Sequence, residues 1–168
     1  GVLFGASVVA YGASLHAVSA AVFGTLLLGI AITDARHYLI PDEFSLSGLV
    51  LGLALALGGG VPGFLQALLG AAVGFALLWG VAQAGAWVFK EEAMGGGDIK
   101  MMAMVGAFVG WKGVLLTLFG GALLGTIVFV PLSIRKKRLV PFGVFLAVAA
   151  GLTFVVGEEI VAWYTRSL

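Results

Sequence analysis

Charged residues divide this chain into long apolar runs, and these runs constrain its fold more than any other feature. Asp, Glu, Lys and Arg are absent from 1–33, 44–89, 101–111, 113–134 and 139–157. A helix that crosses a membrane needs roughly 20 consecutive apolar residues, and soluble domains do not contain several such runs. The pattern therefore predicts an all-α, polytopic membrane protein and excludes a water-soluble domain.

Composition supports this class and removes several kinds of chemistry. Only 10% of the 168 residues are charged, against about 25% in soluble proteins. The chain has no cysteine and only two histidines, so we expect no disulfide, no thiol nucleophile, no metal site and no cofactor. With a net charge of +1 and one dense basic run at 135–138 between apolar segments, we expect no nucleic-acid partner.

The longest runs must fold back on themselves. As one helix, 44–89 would be about 69 Å long, more than twice the hydrocarbon core of a bilayer. Glycines and a proline at 58–63 interrupt it, and polar residues near Ser14 interrupt the first run in the same way. We expect one membrane-embedded domain over 1–168, with spans near 2–15, 17–34, 44–58, 63–89, 98–111, 113–133 and 142–163.

The status of segment 98–111 decides the topology. As a helix it is only about 21 Å long, so it either crosses a thinned bilayer or is re-entrant, which gives six to seven transmembrane helices. If it crosses, Arg36, Lys90, Lys100 and the basic run at 135–138 share one face. Basic residues concentrate on the cytoplasmic side. We therefore expect seven crossings, with the N-terminus and the loops 35–43, 90–97 and 134–141 in the cytoplasm.

Two carboxylates stand at the ends of apolar segments on that predicted cytoplasmic face. Asp34 ends one segment, and Asp98 follows three glycines and opens another. Two neighbouring carboxylates share a proton, so one can activate water while the other protonates a leaving group. This combination favours aspartyl peptide hydrolysis. The alternative is a transporter or channel in which Asp34 and Asp98 bind an ion; their place beside a glycine-rich loop, away from the midplane, favours an opening for a peptide.

Four sequence blocks, in this order, resemble the type IV prepilin peptidases, which are GxGD aspartyl proteases of the membrane. The blocks are Asp34 with Ile40-Pro41-Asp42, then GGGDIK at 95–100, GAFVGW at 106–111 and PFGVFLA at 141–147. The resemblance covers nearly all of the chain and implies a cytoplasm-facing protease site in which Asp34 and Asp98 are catalytic.

Within those blocks, the resemblance marks four further site residues. Asp42, Gly95, Gly97 and Lys100 are expected to position the substrate or shape the motif. Two departures from the family pattern stand out: Val144 occupies a position where proline is usual, and a cysteine-rich insert is absent. Because that insert is associated with methylation, N-methyltransferase activity is not predicted for this chain.

The resemblance also implies a substrate and a location. The substrate would be a type IV prepilin or pseudopilin precursor, of a pilus or a type II secretion system. Its short basic leader would be removed after a glycine, on the cytoplasmic side of a prokaryotic inner membrane. Glu91 and Glu92 adjoin the glycine-rich loop, and one hypothesis is that they attract the leader, the alternative being a solvated loop. Besides the prepilin and the lipid bilayer no partner is implied, and the oligomeric state stays open.

Overall fold

The chain folds into six α-helices in a computed structural model, which describes residues 2–90, 94–133 and 141–166. In chain order they are α1 (Val2–Tyr11), α2 (Leu15–His37), α3 (Asp42–Ala56), α4 (Gly60–Phe89), α5 (Gly96–Ser133) and α6 (Phe142–Arg166). These ranges contain no β-strand, and the predicted all-α membrane class is confirmed. The basic run at 135–138, on which the predicted orientation depends, lies outside the described residues.

Length and apolar composition mark three stretches of the described chain as able to cross a membrane. They are Leu15–His37, Asp42–Val88 and Gly96–Val128, and Phe142–Gly157 is a shorter apolar helix. The second stretch contains a short 3-10 helix at Leu57–Gly59 and so comprises both α3 and α4. The seven crossings and the single domain stay predictions.

The interruptions between helices have local causes. Between α1 and α2, Gly12 has φ 66°, and the Ser14 side chain caps α2 by accepting a hydrogen bond from the Ala17 N–H at 3.2 Å. At the first residue of α4, Gly60 has φ 70°. Such left-handed conformations are easy only for glycine. Gly110, with φ 68° and ψ 176°, breaks α5 internally, one residue before the end of the predicted span 98–111.

The N-terminal half of α5 is the centre of the bundle. Met101, Met102, Met104 and Val105 are each 0% exposed, and the helix contacts α3, α4 and α6. Methionine side chains adapt to irregular gaps between helices. Because Asp98 opens this helix, the best packed element of the fold carries one of the two candidate carboxylates.

Glycines let α4 and α5 approach backbone to backbone. A methyl group added to Gly70 would collide with the carbonyl oxygen of Gly106, and one added to Gly74 with the carbonyl oxygen of Met102. We call this contact of Gly70, Gly74, Met102 and Gly106 the helix crossing. Small residues permit such close packing in lipid, where helix association depends on van der Waals contact.

Candidate active site

Asp34 lies in the last turn of α2 and is 5% exposed. The helix ends at His37, where Tyr38 adopts φ 54° and its N–H donates to the Asp34 carbonyl oxygen at 2.9 Å. Left-handed residues commonly end helices in this way. The chain then leaves the helix axis, and α3 begins four residues later at Asp42. The turn thus sets Asp34 at one end of the bundle.

The first turn of α6 meets the Asp34 carboxylate. The Val144 N–H donates to Asp34 Oδ2 at 3.0 Å, and a methyl group added to Gly143 would lie 2.8 Å from the same oxygen. N–H groups in the first turn of a helix have no partner within the helix and favour a negative group. No role could be assigned to the block 141–147 from sequence. In the structure, the start of this block binds the Asp34 carboxylate through the Val144 N–H.

Asp98 has a different environment. It is the third residue of α5, and its N–H donates to the Gly95 carbonyl oxygen at 3.2 Å. Its Oδ1 is buried and has no hydrogen-bond partner among the residues that the structure describes. Since buried polar atoms are usually paired, this oxygen is suited to a hydrogen bond with water or a bound peptide.

Asp34 and Asp98 line one cavity of about 510 Å³. They are 64 residues apart in sequence, 98 minus 34, and lie on different helices. The other walls come from two segments, 38–43 and 95–97. The volume is within the range of ligand pockets, about 300–1,000 Å³. Two carboxylates at one water-accessible cavity form the arrangement that general acid–base hydrolysis requires.

Ile40 joins the two halves of the site. It is 8% exposed, and a methyl group added to Gly97 would lie 2.9 Å from Ile40 Cβ. On its other side, a methyl group added to Gly143 would lie 2.8 Å from Ile40 Cδ1. We call this region, in which Gly97 faces Ile40 and Gly143 faces both Ile40 and Asp34, the site wall. The role of Ile40 was not recognised from sequence, because an apolar residue before a proline resembles any loop residue.

Asp42 and Lys100 pair at the rim of this region. Lys100 Nζ lies 2.6 Å from Asp42 Oδ2, and the two side chains are 40% and 53% exposed. Lys100 follows Asp98 by two helical positions and so points away from it. The structure therefore brings two predicted positioning residues together, although they are 58 positions apart.

The remaining predicted site residues have mixed placements. Gly95 lines the cavity, but a methyl group there would be 3.8 Å from Asp98 Oδ2, an ordinary contact. Gly97 therefore has the stronger steric reason to be glycine. Glu91 and Glu92 lie outside the described residues. Glu43 lines the cavity and was missed; the signal was its place directly after Ile40-Pro41-Asp42.

A second cavity, of about 640 Å³, surrounds the break at Gly110. It is larger than the first, but neither aspartate lines it. There the His16 ring stacks on Phe154 with 5.1 Å between centroids. The smaller cavity is the candidate active site because it holds both carboxylates.

The chain is similar to known proteins over most of its length. The sequence profile of the type IV leader peptidase family matches residues 21–130, a range that includes Asp34 and Asp98. No solved structure matches the chain, and none of the relatives below supports the transporter or channel alternative.

Three bacterial relatives are each named prepilin leader peptidase/N-methyltransferase. The protein of Xanthomonas campestris pv. campestris is 36% identical over 96% of this chain and 58% of its own length. The protein of Dichelobacter nodosus is 37% identical over 84% of this chain and 49% of its own length. The protein of Pseudomonas putida is 37% identical over 90% of this chain and 54% of its own length. The chain thus spans about half the length of the relatives that it matches.

Proposed function

The chain belongs to the type IV leader peptidase family, and on this premise we propose that it is a membrane aspartic endopeptidase that cleaves prepilins or pseudopilins. Asp34 and Asp98 are the catalytic pair. The observation that carries the proposal is that these carboxylates, 64 positions apart (98 minus 34) and on separate helices, line one cavity.

Hydrolysis by this pair needs one proton shared between the two carboxyl groups. The ionised carboxylate takes a proton from water as the water oxygen bonds to the peptide carbonyl carbon, and the protonated partner donates to the carbonyl oxygen. In the second step the amine nitrogen takes up a proton as the C–N bond breaks, and a hydroxyl of the intermediate returns its proton to the pair. Neither step consumes a cofactor.

The substrate assignment follows from the family and the relatives. We propose cleavage after the glycine that ends a short basic leader, with the cavity open to the cytoplasm and the chain in a prokaryotic inner membrane. The rim and floor of the cavity, where the peptide lies, are shaped by Asp42, Gly95, Gly97 and Lys100. The relatives' names include a second activity, N-methylation, which is not part of this proposal.

The basic leader would pass acidic side chains near the cavity. Glu91 and Glu92 are proposed to attract it by charge. Reversing both charges to Lys is expected to raise KM for a basic leader about tenfold while kcat changes little, as for a loss of binding alone. Equal KM values in wild type and variant contradict this role.

Cleavage of a purified prepilin by the chain in liposomes tests the main proposal. The product N-terminus is read by mass spectrometry, beside Asp34→Asn, Asp98→Asn and the control Glu159→Gln, whose residue lines the second cavity. We expect a single cut after the leader glycine and an unmethylated product. Each Asn variant should lose at least about a hundredfold in rate, with the control unchanged. Full activity in either Asn variant contradicts the pair.

A further inference from the structure

Two residues other than glycine have a left-handed backbone in the described part of the chain. Tyr38 has φ 54° and Lys90 has φ 57°. Each caps a helix through the same bond, in which its N–H donates to the carbonyl four residues earlier, Asp34 for Tyr38 and Ala86 for Lys90, both at 2.9 Å. Glycine is the usual residue at such a position because a Cβ atom makes this conformation unfavourable.

Packing in the core does not explain the tyrosine. Tyr38 is 49% exposed and is not among the buried core residues, so the ring does not offset the unfavourable backbone by full burial. Unfavourable backbone conformations persist where the surrounding structure imposes them, and they cluster at active sites and ligand contacts. Tyr38 differs from Lys90 in its surroundings: it lines the cavity that holds Asp34 and Asp98, and Lys90 is not among the lining residues described.

The neighbours of the ring indicate what it contacts. Leu39, Ile40 and Pro41 continue from Tyr38 along the same wall of the cavity. A half-exposed aromatic ring beside an apolar wall offers a flat face and a polar tip, and aromatic residues contribute large contact areas to binding. An extended peptide lying along this wall would pack against the ring.

We propose that Tyr38 is a substrate-contacting residue that binds the peptide outside its reacting bond and is retained there despite its strained backbone. The inference rests on the proposed function, and it predicts opposite effects on stability and on binding. Replacing the tyrosine with glycine relieves the backbone and removes the ring. Replacing Lys90 with glycine relieves the same conformation and leaves the cavity walls as they are.

The experiment compares Tyr38→Gly, Tyr38→Phe and Lys90→Gly with wild type, by thermal unfolding in detergent and by prepilin cleavage kinetics in liposomes. We expect Tyr38→Gly to unfold at a temperature no lower than wild type while KM rises about fivefold or more and kcat stays within about twofold, the pattern of lost uniform binding. Tyr38→Phe should keep KM within about twofold, because the ring remains. Lys90→Gly should have the same unfolding temperature as Tyr38→Gly. Its KM should equal that of wild type.

Two results would overturn the inference. A lower unfolding temperature for Tyr38→Gly would mean that the ring stabilises the fold. This unfolding measurement requires no substrate. An unchanged KM in Tyr38→Gly, with wild type active and Asp34→Asn inactive, would mean that the ring does not meet the peptide. If wild type itself fails to cleave, the proposed function fails, so the two failures are distinguishable.

Discussion

The helix crossing and the site wall both depend on glycine, but they differ in what a side chain would meet. At the helix crossing, Gly70 faces the backbone of Gly106. At the site wall, Gly97 and Gly143 face the side chains of Ile40 and Asp34. A backbone carbonyl within a helix cannot move alone, whereas the atoms that face Gly143, Asp34 Oδ2 and Ile40 Cδ1, can move by side-chain rotation. The first contact therefore governs whether the helices assemble, and the second governs where a carboxylate points.

This difference separates stability from activity within one small bundle. The helix crossing fixes α5 against α4 and sets the position of Asp98 at the start of α5. The site wall brings the start of α6 to Asp34 through contacts with side chains. Substitutions that add one methyl group to each region are the most direct way to test the separation.

The largest effect is expected from Gly70→Ala at the helix crossing. Its methyl group would collide with the Gly106 carbonyl oxygen and would lie 2.8 Å from Gly110 Cα, so α4 and α5 must separate. Overpacking of this kind costs about 3 kcal/mol or more when the backbone has to move. The unfolding temperature measured in detergent should fall strongly, and activity should be lost over the same range of temperature.

Gly80→Ala is the matched control, because Gly80 lies in the same helix and a methyl group there meets nothing within 4 Å. It should be neutral or stabilise by up to about 1 kcal/mol through helix propensity. If Gly70→Ala unfolds at the same temperature as Gly80→Ala, α4 and α5 do not pack as closely as described. The helix crossing would then not be the region that governs stability.

A smaller effect on stability, with a large effect on rate, is expected from Gly143→Ala at the site wall. The methyl group would lie 2.8 Å from both Asp34 Oδ2 and Ile40 Cδ1, which displaces the carboxylate from the Val144 N–H. Misplacing a catalytic group by about 1 Å costs roughly a hundredfold in rate. We expect kcat to fall by about that factor, while the free energy of unfolding changes by about 1 kcal/mol.

Gly151→Ala serves as its control on the same helix, since the nearest atom, Leu27 Cδ1, would be 3.8 Å away. Its kcat should equal that of wild type. A Gly143→Ala protein with normal kcat would show that Asp34 tolerates the displacement, and one that unfolds as easily as Gly70→Ala would erase the distinction between the regions.

The smallest effect belongs to the Asp42–Lys100 ion pair, which lies beside the site wall but depends on neither glycine. Exposed pairs contribute about 0–1 kcal/mol to stability, and both side chains here are substantially exposed. A double-mutant cycle with Asp42→Asn and Lys100→Met should give a coupling energy of about 0.5 kcal/mol that decreases in high salt. A coupling above about 2 kcal/mol would mean that the pair is shielded from water.

Much of the candidate site could be predicted from local sequence. Asp34 and Asp98 were identifiable because an ionisable group at the end of an apolar segment is rare and costly. Gly60 was visible within the interruption of an apolar run at 58–63. By contrast, Ile40 and Gly143 are ordinary residues in composition, and their importance comes from a contact between segments about 100 positions apart in the chain.

Some expectations from local geometry also needed the fold to complete them. Helical spacing predicts that Lys100 points away from Asp98, but it does not identify Asp42 as the partner. Gly97 was expected to position the substrate or shape the motif, and the fold adds a close approach to Ile40 as a steric reason for glycine there. Such contacts depend on how helices pack, and packing is a property of several segments together.

The sequence by itself determined the membrane class, the helical fold and the two aspartates. These follow from the free energy of transferring apolar and ionisable side chains between water and lipid, which each segment carries on its own. Only the tertiary structure decided that the two aspartates share a cavity, that α6 begins on Asp34 and that Tyr38 faces the same space. Those facts depend on short-range contacts between distant segments, and such contacts exist only once the helices have packed.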